Sequence, residues 1–489
     1  MYLCEQRPED IMTKLLFATS EIYPFIKTGG LADVSYSLPR ALSQLNIDIS
    51  IIVPLYKIID KEKWNIKFSS EFFISELKVT LLTTLLPNSE IPVYFVDIPE
   101  YYDREGGPYN SSNGDYADNH LRFFWFSKVI EHICVNDILG RTPFEIVHCN
   151  DWQTGLVPAL LSLHKERPKT IFTVHNMAYA GIFSRDCFNE LDLPDVFFHH
   201  DRMEFYGNVS FLKSGIVFSD VITTVSPCYA EEIQQPEFGY GFDGLMRHRK
   251  NSLVGIINGI DKDEWNPERD GSIPYPFSLK NMSGKSKNKA YLQNMTGLTT
   301  NTKIPICSFV GRLVEQKGVE FVIDSIPTLI ELGCQIVILG EGQAEYESTL
   351  LALASNYPTE MFVKVGYDES FAHLIEAGSD IFLMPSVFEP CGLNQLYSLA
   401  YGTLPIVTNR GGLKDSIIPY QQAEDLESAT GFILRSPSTI NLIETVIAAL
   451  DVYKNEAIWS QLQRNAMSQN FGWNESAQHY IKLYNQLLM

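Results

Sequence analysis

Residues 304–332, IPICSFVGRLVEQKGVEFVIDSIPTLIEL, decide the fold. The stretch opens on a short β-rich run at 304–310 and turns through Gly311, Arg312, Lys317 and Gly318. It then continues into 319–332, where apolar residues recur at helical spacing. Strand, glycine-bearing turn and helix in that order are the first half of a βαβ unit, the connection that parallel strands require. Residues 14–44, KLLFATSEIYPFIKTGGLADVSYSLPRALSQ, repeat the plan: a strand-like run at 14–19, a loop carrying Gly29 and Gly30, and a helical 31–44. The two halves open alike, as two domains of one architecture rather than as a short-period repeat.

Further strand-like runs follow from these starts. The first half has 14–19, 48–54, 91–97, 146–149, 170–174 and 221–225; the second has 304–310, 335–339, 362–365, 381–384, 405–408 and 431–434. Longer helical stretches separate them, and about six strands per half is the count of one doubly wound domain. A chain of 489 residues is too long for one ordinary core. The expected fold class is therefore α/β, with two Rossmann-like doubly wound domains facing across a cleft. The expected boundaries are 1–254, 255–467 and a terminal 468–489. The stretch 475–488 reads as an amphipathic helix able to dock back on the first domain.

Composition narrows the function. Fifty-nine acidic against 38 basic residues give a net charge of −21. That argues against a polyanion-binding surface, which needs clustered Lys and Arg, but not against a small anionic ligand held by a few focused cations. No nucleic-acid partner is expected. The eight cysteines have no zinc-site spacing and read as free thiols. Residues 1–10 are polar and lack the basic and apolar regions of a signal peptide, and Met12 is an equally good start. No apolar run reaches the length of a membrane span. The expectation is a cytoplasmic protein with no membrane partner; a plastid would require a transit peptide already removed.

Chemistry-bearing residues gather after the strands: Lys27, Asp151, His175 and Asn176 in the first half, Arg312, Lys317, Glu341, Glu389 and Arg410 in the second. Open α/β sheets bind ligands outside the carboxyl ends of their strands. In KTGGL (27–31), Gly29 and Gly30 let backbone N–H groups approach a phosphate or sugar, and Lys27 adds a mobile charge; by itself the motif is equally a tight strand–helix turn. Arg312 and Lys317 flank a glycine-containing loop ahead of a helix, a cradle for a diphosphate that departs with added negative charge; the alternative is two solvated surface cations. In FEPCGL (388–393), Glu389 at a strand-to-helix turn is placed to accept sugar hydroxyls or merely to complement the helix dipole, beside Cys391, a small packing residue, and Gly392. Asp151, Trp152, His175 and Asn176 supply a carboxylate, an aromatic platform, an imidazole and an amide, a set that suits a carbohydrate; a satisfied histidine at a strand end is the other reading of His175.

At these residues the chain resembles the bacterial glycogen synthase and plant starch synthase family, over nearly its whole length. The similarity is carried in order by KTGGLADV, DWQTGLVPALL, TVHNMAYAG, FLKSGIVFSDVITTVSP, INGIDKDEWNPERD, VGRLVEQKG, MPSVFEPCGLNQLYSLAYGTLPIV and RGGLKDS. The resemblance implies the GT-B fold and retaining transfer of glucose from ADP-glucose to the non-reducing 4-hydroxyl of an α-1,4-glucan, with no cofactor and no metal. It implies that Lys27, with Gly29 and Gly30, contacts the donor, with Asp33 just beyond. It implies that Arg312 and Lys317 clamp the diphosphate, that Lys289 in KNKAYLQ is a further donor-site lysine, and that the Tyr367 ring packs on the base. Glu389, Cys391 and Gly392 are placed near the glucose, His175 by the anomeric centre, Asn258 in the cleft, and Asp151 and Asn176 toward the acceptor or sugar.

The pattern is not followed everywhere. Tyr36 and Ser37 stand where the family often has Gly and a small residue, Gln153 replaces a frequent His, and Val387 a common Arg. Tyr397 leaves incomplete the acidic pair of many retaining GT-B enzymes. Three competing readings are a glucosyltransferase for short oligosaccharide or initiation acceptors, a silent glucan-binding scaffold, and a dinucleotide oxidoreductase. Retention of Lys27, Arg312, Lys317 and Glu389 argues against the scaffold. SEIYPFIKTGG, which is not a Gly-x-Gly-x-x-Gly fingerprint, argues against the oxidoreductase.

Overall fold

Strands buried on both faces read as continuous apolar runs, and helices must cover those faces. The computed structural model, which describes residues 12–112, 114–141 and 143–489, has this arrangement twice. The polar 1–10 stretch and Cys4 lie outside the described residues.

The first unit carries a nine-stranded sheet in the order Leu253–Gly255, Val221–Thr224, Lys169–Val174, Ile146–Asn150, Thr13–Ala18, Ile47–Pro54, Pro92–Asp97, Leu77–Leu85, Lys67–Ile74. The strands from Leu253–Gly255 to Pro92–Asp97 are parallel. The last two extend the edge as an antiparallel hairpin. The sequence reading has no strands at 67–85. There, polar and apolar residues alternate, as suits a sheet with one solvated face, and Ser75, in the left-handed region (φ 52°), makes the tight turn.

The second unit carries six parallel strands in the order Met361–Val365, Gln335–Gly340, Ile306–Val310, Ile381–Met384, Leu404–Thr408, Phe432–Leu434. By chain order this is 3-2-1-4-5-6. The winding reverses between Ile306–Val310 and Ile381–Met384, and the crevice at that switch point is where such sheets bind ligands. In the first unit the same reversal falls between Thr13–Ala18 and Ile146–Asn150.

The units comprise Met1–Val225, Ala230–Gly259 and Trp473–Met489 on one side, Ser226–Tyr229 and Ile260–Gly472 on the other. The boundary expected at 254/255 therefore moves to 259/260, because Leu253–Gly255 is the last strand of the first sheet and Ile257 accepts a 2.5 Å hydrogen bond from Ser476 Oγ. The boundary at 467/468 moves to 472/473, because Ile260 N bonds Phe471 O and Lys262 Nζ bonds Asn470 Oδ1. The last helix, Trp473–Leu488, packs with the first unit, burying Trp473, Ala477, Tyr480, Leu483 and Tyr484 and touching helix Gly30–Ser43. Tyr484 OH meets Nδ1 of the fully buried His148 at 2.9 Å, and His148 Nε2 meets Thr173 Oγ1 at 2.6 Å. Among the described residues no helix is long and apolar enough to cross a membrane.

Candidate active site

In the first unit the chain leaves strand Thr13–Ala18 through Thr19, Ser20 and Glu21. Glu21 is 4% exposed, and a carboxylate so buried needs donors. It takes them from the KTGG loop: Thr28 N and Thr28 Oγ1 at 2.5 Å, and Gly29 N at 3.2 Å, with Tyr109 OH adding a fourth at 2.5 Å. This corrects the expectation for the paired glycines, since the N–H groups of Thr28 and Gly29 are spent on Glu21 rather than turned to a phosphate. Gly29 is in extended backbone, and nothing lies within 4 Å of where its Cβ would stand, so neither conformation nor space demands glycine. Gly30 opens the helix. What the loop presents is Lys27, whose ammonium bonds Asp33 Oδ1 at 2.7 Å from the helix's first turn.

Across the first switch point stands Asp151, at φ 57°, a conformation few non-glycine residues adopt. Its carboxylate accepts the backbone N–H of His175 at 2.8 Å and so ties the loops after two adjacent strands together. Burial pushes the Asp151 carboxyl up to about 7, against the lowering effect of the backbone donors of His175 and Asn176. His175 Nε2 lies 2.9 Å from Asn150 Oδ1, and Asn150 Nδ2 donates to Ala18 O at 3.0 Å. Asn150 therefore presents its carbonyl to the ring, Nε2 carries the proton, and Nδ1 is left as an acceptor. Burial holds this imidazole far below its ordinary value, so it is neutral at pH 7. Asn176 caps its own turn, accepting Ala178 N at 3.0 Å. Asn258 is buried just past the end of strand Leu253–Gly255.

In the second unit the two strands flanking the switch point deliver charges of opposite sign. Arg312, exposed, and Lys317 follow Ile306–Val310; Glu389, 5% exposed, follows Ile381–Met384. Lys317 Nζ meets Glu389 Oε2 at 2.5 Å, and Ser386 Oγ donates to the same oxygen at 3.1 Å. Gln316 fixes the register of the two loops. Its carbonyl takes Val387 N at 2.9 Å, its amide donates to Phe388 O at 3.3 Å, and its Oε1 accepts Arg312 at 3.2 Å.

The loops are packed backbone to backbone. A Cβ on Gly318 would stand 2.2 Å from Pro385 O, on Gly411 2.0 Å from Glu389 O, and on Gly412 2.2 Å from Cys391 O. Cys391 is buried, and Gly392 is in the left-handed region (φ 76°). Ser226 Oγ donates to Pro390 O at 2.6 Å, and Cys228 N bonds Asp415 Oδ2 at 2.8 Å; this is why 226–229 is counted with the second unit. Tyr367, 65% exposed, stands beyond the edge strand Met361–Val365.

The model of the starch synthase catalytic domain matches residues 14–248, and that of glycosyl transferases group 1 matches residues 293–466. A glycogen synthase of Cellvibrio japonicus is 50% identical over 479 residues, 97% of this chain and all of that one. This chain belongs to the glycogen synthase and starch synthase family. A glycogen synthase of Thioalkalivibrio sulfidiphilus is 44% identical over 97% of the chain and 100% of its own length. Among solved structures, the catalytic domain of starch synthase IV from Arabidopsis thaliana, bound to ADP and acarbose, superposes with a TM-score of 0.89 at 29% identity, covering 98% of this chain and 99% of that one. Sucrose-phosphate synthase from Thermosynechococcus elongatus shares the GT-B fold (TM-score 0.60, 15% identity, 97% of this chain and 99% of that one).

Two further readings of site residues in this glycogen synthase family chain are corrected. Lys289 stands at the wrong end of its sheet for a donor contact. Its ammonium is buried against Asp380 Oδ2 at 2.6 Å, Thr302 O at 2.8 Å and Tyr453 OH at 2.9 Å, all placed before their strands or away from the carboxyl ends. Asp380 also accepts Ile306 N, so Lys289 ties down the amino ends of two parallel strands. Trp152 is no open platform. Phe123 meets it edge-on at 4.9 Å, and Gly181 (φ 53°) lies so close that a Cβ there would be 2.4 Å from the indole.

Tyr397, where many retaining enzymes have an acid, stacks on Trp265 at 3.6 Å and 8°. Glu21, Gln316, Ser386, Ser226 and Asp415 escaped the sequence reading. Only Glu21 carried a signal, an acid among apolar residues right after a strand.

Proposed function

We propose that the chain transfers glucose from ADP-glucose to the non-reducing 4-hydroxyl of an α-1,4-glucan, with retention of configuration, in the cytoplasm. The observation that carries this is the Lys317–Glu389 pair, a cation and a carboxylate brought to 2.5 Å from the two strands that flank the second unit's switch point.

Breaking the bond between glucose and diphosphate leaves growing negative charge on ADP. Arg312 and Lys317 are cations fixed beforehand at a strand end, and such groups stabilise charge as it develops without reorganising. Lys317 has three donors, so it can hold Glu389 and still reach a phosphate oxygen. Glu389, held by Lys317 and Ser386, is the carboxylate that orients the sugar and steadies positive charge at its anomeric carbon. Lys27 adds a donor contact from the first unit. His175, neutral with Nδ1 open as an acceptor, suits a sugar hydroxyl, and Asp151 and Asn176 hold its loop. The exposed Tyr367 ring serves the adenine. The transfer needs no metal and no cofactor.

Donor competition tests this reading: ADP-glucose against UDP-glucose, with glycogen as acceptor. ADP-glucose should give the higher kcat/KM. Equal use of both donors, or turnover without glycogen, would overturn it.

A further inference from the structure

Three short stretches of the first unit hold tyrosines out into solvent: Tyr179 is 49% exposed, Tyr206 78% and Tyr240 43%. Two of them stand where a tyrosine is out of place. Tyr206 and Gly207 join strands Glu204–Phe205 and Asn208–Ser210, with φ 49° and 82°. Tyr240 and Gly241 have φ 49° and 85°, and Phe242 N closes that turn on Gly239 O at 2.7 Å. Positive φ at both central residues is the type I′ turn, whose first centre takes Asn, Asp or Gly. A bulky side chain there is strained, and strain of this kind gathers at working sites. Neither turn needs the ring for its own geometry, and both carry it.

The fold brings the two turns together. Phe205, before the first, stacks on Phe242, after the second, at 4.1 Å and 8°. A Cβ on Gly241 would stand 3.1 Å from the Phe205 ring and 3.4 Å from the Tyr206 ring, so the second turn lies against the first. Tyr179 joins them from the stretch after His175. Its N–H bonds Asn176 O at 3.2 Å, and three residues on, Ile182 pairs with Ser210 in the same small sheet. The Tyr240 hydroxyl is pushed above its ordinary value by burial first and then by Tyr179, which sets those two phenols within electrostatic reach of one another.

Residues 178–182, 205–208 and 239–242 carry no charge. The acids beside them are engaged: Glu204 Oε1 accepts Gly207 N at 2.6 Å, and Asp243 pairs with Arg247 at 2.7 Å. These stretches offer flat apolar rings edged by hydroxyls rather than charge. A pyranose has the matching surface, an apolar face rimmed by hydroxyls. We propose that Tyr179, Tyr206 and Tyr240 form the platform on which the sugar rings of the acceptor α-glucan lie. This rests on the α-glucan reading above and extends it to a surface that begins at the His175 turn.

The test titrates maltoheptaose into the full chain in a calorimeter, which reads binding whether or not transfer occurs. Asn suits the first centre of a type I′ turn, so Tyr206→Asn and Tyr240→Asn remove a ring and keep the turn. Tyr206→Asn should melt no lower than the parent chain. Each variant should weaken maltoheptaose binding about fivefold, and the double variant should lose more than either. Tyr206→Phe, which keeps the ring, should retain most of the affinity. In the transfer assay Tyr206→Asn should raise the KM for maltoheptaose by the same factor and leave the KM for ADP-glucose unmoved. A parent chain that binds maltoheptaose through these rings but transfers no glucose would sink the transferase reading and uphold the platform. The platform is overturned if the parent chain does not bind maltoheptaose, or if both Asn variants bind it as the parent does. A parent dimer that Tyr206→Asn splits in light scattering, with maltoheptaose affinity unchanged, overturns it equally, since the rings would then cover a second copy.

Discussion

Arg312 and Lys317 carry the same charge in different surroundings, and their removal should differ accordingly. Arg312 is exposed, so Arg312→Ala should keep the melting temperature of the parent chain while kcat/KM falls about 100-fold, roughly 2.7 kcal/mol of transition-state stabilisation. Near-normal turnover in that folded variant would return Arg312 to a surface cation. Lys317→Ala should lose as much activity and also stability, on the order of 2 kcal/mol, because Glu389 is left buried and unpaired. Adding Glu389→Gln to Lys317→Ala should restore the stability but not the turnover, as denaturant melts beside steady-state rates would reveal. For Tyr367, two-thirds exposed, the proposed place on the adenine predicts an effect on binding alone: Tyr367→Ala should raise the KM for ADP-glucose about fivefold with kcat little changed.

Arg312 and Lys317 stood out in the sequence because both follow a strand and each stands beside a glycine. Their partners did not. Ser226 and Asp415 act through hydrogen bonds to backbone groups remote in sequence, and nothing in the local pattern of an isolated Ser or Asp announces a distant carbonyl or N–H. Lys289 misled for a related reason, since a lysine in a resembling motif does not say at which end of its sheet it stands.

At the scale of elements, the strand-end loops work as backbone-packed pairs. Gly412 is not in the left-handed region, so Gly412→Ala tests contact alone. Its Cβ would push on Cys391 O from 2.2 Å, moving the loop that carries Glu389. The expected result is a folded variant with kcat reduced at least tenfold; unchanged kcat would show the loop to be slack.

The first unit's loops respond to pH. Asp151 keeps its proton to about pH 7 in the fold and loses it in the ordinary carboxylate range when unfolded. Its contribution is therefore present at low pH and lost as pH rises from about 4 to about 7. His148 and His175, buried and held low at about 3, act in the opposite sense: their contribution is present above the ordinary histidine value and lost as pH falls toward 3. The terms oppose, so a difference profile isolates Asp151. Asp151→Asn should become more stable relative to the parent chain as pH rises from 4 to 7, by up to about 1.4 kcal/mol per pH unit, in denaturant unfolding. A flat difference would place the Asp151 carboxyl in its ordinary range.

The parallel strands were legible because buried strands are apolar throughout. The 67–85 hairpin was not, because its half-solvated alternation is weak beside them.

At the scale of the molecule, two sheets of one winding order put both groups of site residues at switch points, and the twin openings at 14–44 and 304–332 made that visible. The exact seams were less visible, because a three-residue strand and a carbonyl bonded to Ser476 extend the first unit past 254. The terminal helix is part of the first unit's fold, not an appendage. Tyr484→Phe leaves Nδ1 of buried His148 unpaired and should cost about 1–3 kcal/mol in equilibrium unfolding, with turnover preserved under folded conditions.

α-Glucan elongation from ADP-glucose can be followed in a single reaction. The enzyme is incubated with ADP-glucose, carbon-13 labelled in the sugar, and a maltooligosaccharide, and proton and carbon spectra are followed with time. The label should appear in a new non-reducing residue joined α-1,4, with one ADP released per residue added. ADP released with the label in free glucose, or a β-linked product, would contradict it.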